Sequence, residues 1–192
     1  MRYDPTKHHR RSIRLLGYDY RQAGAYFVTT VCKDRELVLE DERFRTIAEE
    51  TWLWLAERYE YVDLDEYVVM PNHLHGIVVI RDVGAHGRAP LPLAPHRPPR
   101  SLGSFVAGFK SAVTKRINEI RDAPGVPVWQ RNYYEHVIRD EDDLDRVRRY
   151  IAENPLRWEE DPENPSEARP VGGDGRLGDH GGSPLRPDGG QR

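Results

Sequence analysis

Residues 68–80 read Val-Val-Met-Pro-Asn-His-Leu-His-Gly-Ile-Val-Val-Ile, and no other stretch limits the fold so tightly. Both apolar flanks are rich in β-branched residues, which suit a strand. Pro71 and Asn72 interrupt the run and predict a turn or bulge between two strands. In a strand, residues two apart share a face. His73 and His75 therefore project side by side, while Leu74 points the other way into a core. Two imidazoles on one rigid strand can hold one divalent ion. The same pattern also occurs as two ordinary histidines on a half-exposed strand, so it acquires chemical meaning only with a second group of residues.

The flanking chain supplies an α+β framework. Residues 25–32 (Ala-Tyr-Phe-Val-Thr-Thr-Val-Cys) predict a strand, and 36–39 a short extension of it. Asp41 is placed to cap a helix over 42–59, whose Phe44, Ile47, Ala48, Trp52 and Leu55 follow a three-and-four spacing. A second strand covers 61–70. Residues 81–100, dense in Pro, Gly, Ala and Arg, read as a flexible insertion. A second helix over 101–120 carries Phe105, Val106, Phe109, Val113 and Ile117 on one stripe. Lys110, Lys115 and Arg116 give that helix a basic flank, read either as solubilising charge or as contacts to a phosphate backbone. Residues 128–139 predict an aromatic strand. Asp140 then caps a third helix that Pro155 stops, and Glu141, Asp142 and Asp143 suit its first turn.

The chain of 192 residues divides into a basic arm (1–24), a body (25–158, with the 81–100 insertion) and a tail (159–192) expected to be disordered. Residues 1–139 carry 21 Lys and Arg against 18 Asp and Glu, and residues 140–192 carry 8 against 14. A mildly basic body is compatible with nucleic acid despite the formal net charge of −3. Arg10, Arg11 and Arg14 cluster in the arm, as a solvated tail or as phosphate contacts. A single cysteine, Cys32, excludes an internal disulfide and a zinc ribbon, and fits a core position in a reducing cytoplasm. No uninterrupted apolar run is long enough for a transmembrane helix, and the N-terminus lacks a signal-peptide core.

The second group lies on the third helix. Leu144, Val147, Ile151 and Asn154 share one face, with Tyr150 on the same side. A helix packed beside the histidine strand would gather two imidazoles, an amide oxygen and a phenol in one pocket. A phenol with an ordinary pKa near 10 is a weak nucleophile at neutral pH and needs a polarised target. A divalent ion on His73, His75 and Asn154 would supply that polarisation, and a donor set without thiolate suits Mg²⁺ or Mn²⁺. The alternative is a core tyrosine and a helix-terminal asparagine. A histidine-triad hydrolase would need a further His where Ile77 stands.

Four blocks occur in order: residues 71–77 (PNHLHGI), 104–114 (SFVAGFKSAVT), 128–139 (VWQRNYYEHVIR) and 150–155 (YIAENP). Together they resemble the REP-associated tyrosine transposases, single-tyrosine members of the HUH endonucleases related to small bacterial insertion-sequence transposases. The resemblance spans about residues 10–160. It implies an α+β, ferredoxin-like antiparallel sheet with helices on one face and the HUH pair on a central strand. By the same resemblance His73, His75 and Asn154 are metal ligands and Tyr150 is the nucleophile. The substrate it implies is a single-stranded DNA hairpin, cleaved to a 5′-phosphotyrosine and a free 3′-OH, with no small-molecule cofactor and no membrane partner. Related transposases form dimers, and the resemblance leaves open whether this chain pairs with a copy of itself and whether Tyr150 acts in cis or trans. Tyr133 is a candidate for stacking on a base, Tyr134 for the core, and Glu135 and His136 for supporting the metal ligands. The competing reading is a catalytically silent hairpin-binding regulator derived from a transposase.

Overall fold

The computed structural model describes residues 19, 22–81 and 100–165. Arg10, Arg11 and Arg14, most of the 81–100 insertion and the tail beyond 165 lie outside the described residues. Four strands form one antiparallel sheet: β1 (Gly24–Val31), β2 (Val62–Val69), β3 (His73–Ile80) and β4 (Tyr134–Ile138), in the order β2-β3-β1-β4. The histidine strand β3 is therefore interior. Among the described residues, three α-helices accompany the sheet: α1 (Glu42–Arg58), α2 (Leu102–Arg121) and α3 (Glu141–Glu153). The side chains of Asp41, Ser101 and Asp140 cap them, accepting from the amides of Arg43, Ser104 and Asp143.

Strand alternation sorts the sheet into two unequal faces. Tyr26, Val28, Leu74, Val78 and Ile80 join the apolar stripes of α1 and α2 in the larger core, which also takes Cys32. Phe27 and Ile77 point the other way and meet Val147 and Ile151 of α3. Helices on one face, as the resemblance implied, thus describes α1 and α2; α3 lies on the opposite face because its short apolar stripe covers Phe27 and Ile77. Opposed residues of paired strands share a face. The pairings Thr29–His75, Val31–His73 and Thr29–Tyr134 put both histidines under α3.

The β2–β3 turn is held from outside. The Met70 amide donates to the His73 carbonyl at 2.8 Å, the Cys32 amide to Asn72 at 2.7 Å and the Leu39 amide to Pro71 at 2.8 Å. That last bond draws the segment expected as a strand extension into a 3₁₀ turn, Val38–Glu40, with Val38 and Leu39 buried. The fourth strand is shorter than expected. Lys110 Nζ donates to the carbonyls of Gln130 and Asn132 at 2.8 and 2.7 Å, and the Gln130 amide donates to the Val31 carbonyl at 2.9 Å. Trp129 keeps one bridge to Cys32.

The start of the expected tail needs correction. A 3₁₀ segment, Asn154–Glu160, follows Pro155 round the end of α3, and Asp161, Glu163 and Asn164 are buried beyond it. Arg35 Nε donates to Glu163 at 2.8 Å and Asn72 Nδ2 donates to the Glu163 carbonyl at 2.6 Å. Residues 159–165 belong to the folded body because polar bonds, which composition does not reveal, fasten them to the β2–β3 turn. Among the described residues, no helix is long and apolar enough to cross a membrane.

Candidate metal and nucleophile site

The site grows from the β3 backbone. Gly76, next to His75, has no side chain because an added Cβ would stand 2.7 Å from Trp52 Cζ2 on the larger-core side. Trp52 is walled in by Phe105 and Phe109, with ring centroids at 4.9 and 5.1 Å. The strand thus rests directly on an indole, which fixes the height of the histidines above the opposite face.

Both imidazoles are buried and tied down by their Nδ1 atoms. Asn72 Nδ2 donates to the carbonyls of Arg35 and Glu163, so Asn72 Oδ1 is free to accept. His73 Nδ1 lies 2.8 Å from that oxygen. Its Nδ1 must carry the proton, and a neutral ring then has a bare lone pair at Nε2. Burial holds His73 down to about pKa 4, with the Asp161 carboxylate opposing, and holds His75 well below the ordinary value. Both rings are neutral at pH 7. Thr29 Oγ1 holds His75 Nδ1 at 2.8 Å. The two Nε2 atoms face each other across 3.0 Å.

Helix α3 brings in the rest. The Tyr150 hydroxyl lies 3.3 Å from His75 Nε2 of the same chain, and its ring stands edge-on to Phe27 at 5.8 Å. Burial raises the Tyr150 phenol above its usual pKa, and the carboxylates of Asp161 and Glu163 push the same way. Asn154, one turn on, is buried, and its Nδ2 donates to Asp161 Oδ2 at 3.0 Å. Its Oδ1 is buried and has no hydrogen-bond partner among the described residues. Asp161 Oδ2 lies 3.8 Å from His73 Nε2.

A divalent cation fits these groups on two counts. It would satisfy the stranded Asn154 oxygen. It would also separate two imidazole nitrogens that burial keeps uncharged. Ligands at ~2.1 Å from one ion stand about 3 Å apart, close to the His–His separation. His73, His75 and Asp161 each offer a donor atom within 4.8 Å of the others.

The position of α3 is set by two clamps that periodicity did not disclose. Between Leu64 and Tyr67, β2 slips register against β3. Asp65, in this irregularity, takes Arg148 Nε and Nη2 at 2.9 and 2.6 Å. At the start of α3, buried Asp143 accepts from Arg146 at 2.5 Å and meets His136 Nε2 at 2.8 Å. Together with the small Phe27–Ile77–Val147–Ile151 cluster, these pairs orient the helix that carries Tyr150.

The structure thus gathers Tyr150, His73, His75 and Asn154, and does not gather the other candidates. Lys110, Lys115 and Arg116 lie on α2, across the sheet. Lys110 is held by two carbonyls, Lys115 stands 3.9 Å from Glu119, and Arg116 pairs with Glu50 at 2.6 Å. Tyr133 packs against the larger core. Glu135 opposes Val28, on that same side, and His136 is engaged with Asp143 rather than with a metal ligand. Tyr134 is on the histidine face, edge-on to Phe27 at 6.3 Å. Asp161, Asn72, Thr29 and Glu163 were missed. Asn72, next to the His-Leu-His run, was the nearest to a readable signal, since an amide beside a buried imidazole is a natural Nδ1 partner.

No protein-family model matches the chain. An uncharacterized protein of Haemophilus influenzae (strain ATCC 51907 / DSM 11121 / KW20 / Rd) is 38% identical over 177 residues, covering 83% of this chain and 96% of that protein. A second protein of the same strain, provisionally named a REP-associated tyrosine transposase, is 26% identical over 142 residues, or 72% of this chain and 74% of that one. Among solved structures, a REP-associated tyrosine transposase bound to a REP hairpin superposes with a TM-score of 0.56 at 18% identity, covering 76% of this chain and 74% of that one. That likeness establishes a common fold. In sequence, the chain is similar to the second of these relatives, which carries the REP-associated tyrosine transposase name.

Proposed function

We propose that the protein is a metal-dependent single-stranded DNA endonuclease and strand transferase of the HUH type, acting on palindromic hairpins through Tyr150. The observation that carries this reading is the Tyr150 hydroxyl 3.3 Å from His75 Nε2, whose neighbours are the buried His73 and Asn154. His73, His75 and Asn154 would hold Mg²⁺ or Mn²⁺. The ion, when bound, supplies Lewis-acid polarisation of the scissile phosphate.

The residues of the chain do the remainder. Tyr150 Oη forms a bond to phosphorus as the bond from phosphorus to the 3′-oxygen breaks. The phenol gives up its proton and the departing 3′-oxygen gains one, so the products are a 5′-phosphotyrosine and a free 3′-OH. Burial disfavours a free phenolate, so deprotonation accompanies attack rather than preceding it. Phe27 and the α3 clamps hold the ring for in-line approach. Because Tyr150 stands against its own chain's histidines, a single chain can assemble the site. DNA is the proposed partner, by analogy with the hairpin-bound relative.

A 3′-labelled hairpin oligonucleotide with single-stranded flanks, incubated with Mn²⁺ or Mg²⁺, is expected to yield a band of protein-linked DNA on a denaturing gel. The band disappears with chelator and in Tyr150→Phe. Tight hairpin binding without any adduct, across both metals, would favour the silent-regulator reading instead.

A further inference from the structure

Asp161 lies outside the His-His-Asn set. It is carried by the segment after α3, and it is buried, like the histidines it faces. Its Oδ1 accepts from the Glu163 amide at 2.7 Å, and its Oδ2 accepts from Asn154 Nδ2 at 3.0 Å. Both donors are neutral. Among the described residues no Lys or Arg ion pair to it is formed, and His73 Nε2 lies 3.8 Å from its Oδ2. The neighbouring acid, Glu163, has its charge matched by Arg35. Asp161 is thus an acidic side chain buried without a matching cation, an arrangement proteins keep when a metal ion completes it.

The geometry points to an oxygen ligand. Oδ2 lies on the His73 side, 3.8 Å from His73 Nε2 and within 4.8 Å of the donor atoms that would hold an ion. The same oxygen receives the Asn154 NH₂, which turns Asn154 Oδ1 away from Asp161. The backbone is pinned in turn: the Glu163 carbonyl takes Asn72 Nδ2, and Asn72 Oδ1 holds the His73 ring. One short segment therefore supports one histidine, orients the amide and presents a carboxylate.

We propose that Asp161 is a further metal ligand of this site, a carboxylate delivered by the segment beyond the tyrosine helix. The inference rests on the metal-site reading above. A hard anionic oxygen added to two imidazoles and an amide favours Mn²⁺ and Mg²⁺ over softer ions. It also compensates the charge of a divalent ion more fully than the neutral ligands do.

The test is Mn²⁺ affinity of the full chain without DNA, read as free Mn²⁺ by electron paramagnetic resonance. Wild type, His73→Ala, Asp161→Asn and Asp161→Glu are compared, with far-UV circular dichroism confirming the fold of each. Asp161→Asn is nearly isosteric. It is expected to weaken Mn²⁺ at least about a hundredfold, more than a change outside the ligand shell usually costs. Asp161→Glu should recover at least about tenfold of that. A smaller loss in Asp161→Asn overturns the proposal. So does a Co²⁺ absorption spectrum of Asp161→Asn that superimposes on wild type, because losing a ligand must change the ligand field. If His73→Ala abolishes binding while Asp161→Asn does not, the site stands and Asp161 is excluded. If wild type binds neither ion, both readings fall.

Discussion

Gly76 offers the sharpest mechanical test of how the sheet supports the site. In Gly76→Ala the new methyl would lie 2.7 Å from Trp52 Cζ2 and 3.3 Å from both Trp52 Cε2 and Tyr67 Cβ. Trp52 has no solvent exposure and is flanked edge-on by Phe105 and Phe109, so the indole has little room to retreat. The strand must lift instead, or the indole must leave its rotamer. Overpacking of this kind costs ~1–3 kcal/mol. For a body of this size that is a fall in Tm of about 3–10 °C. Urea unfolding followed by tryptophan fluorescence reads the change directly. The clash involves the six-membered ring of the indole, so Trp52→Phe should relieve it. Trp52 Nε1 has no hydrogen-bond partner among the described residues, so that change sacrifices no such bond. The double variant should therefore be more stable than the summed single effects predict, by at least about 1 kcal/mol. Strict additivity, or a Gly76→Ala effect below about 0.5 kcal/mol, would refute direct contact between strand and indole.

Other expectations follow from the electrostatics and the clamps. His73 has its pKa lowered to about 4, so between pH 6.5 and 4 the unfolded chain binds a proton that the fold refuses. The metal-free protein should hold its stability above pH 6.5 and lose it as pH falls through that window, in urea titrations at stepped pH; a flat profile would contradict a neutral buried pair. Arg148→Ala should leave Mn²⁺ affinity within about threefold but slow adduct formation at least about tenfold in single-turnover assays, because it frees Tyr150 from its clamp; an unchanged rate would mean the Asp65 pair does not position α3. Lys110→Met should lower stability by roughly 1.5–3 kcal/mol, the range for charged hydrogen bonds, while leaving the salt dependence of hairpin binding unchanged. A shallower salt slope would restore Lys110 as a phosphate contact.

The parts of the molecule written in side-chain periodicity were legible in the sequence. Alternation around His73 and His75 predicted their common face, and three-and-four spacing predicted that Tyr150 and Asn154 turn inward. Capping chemistry located the starts of α1 and α3 at Asp41 and Asp140. The illegible parts depend on long-range polar bonds. Lys110 reads as a surface cation until its two carbonyl acceptors are seen. Arg148 falls on the wet side of the α3 wheel, and only the β2 irregularity at Asp65 gives it a partner. Asp161 sits in a Pro-, Glu- and Asp-rich stretch with the composition of a tail. It folds because Asn72, Arg35 and Asn154 each offer it or its neighbour a bond from elsewhere in the chain. The side of the sheet taken by α3 followed from which two of its residues cover Phe27 and Ile77, a tertiary choice.

If the α3 phenol attacks DNA held against the paired imidazoles, the covalent link forms at Tyr150. Mass spectrometry of tryptic peptides, after reaction with a hairpin oligonucleotide and nuclease trimming, locates the modified residue. A nucleotide remnant on Tyr150, retained when Tyr134 is changed to Phe, is the predicted result. A remnant on Tyr134 or Tyr133 with Tyr150 unmodified would contradict it.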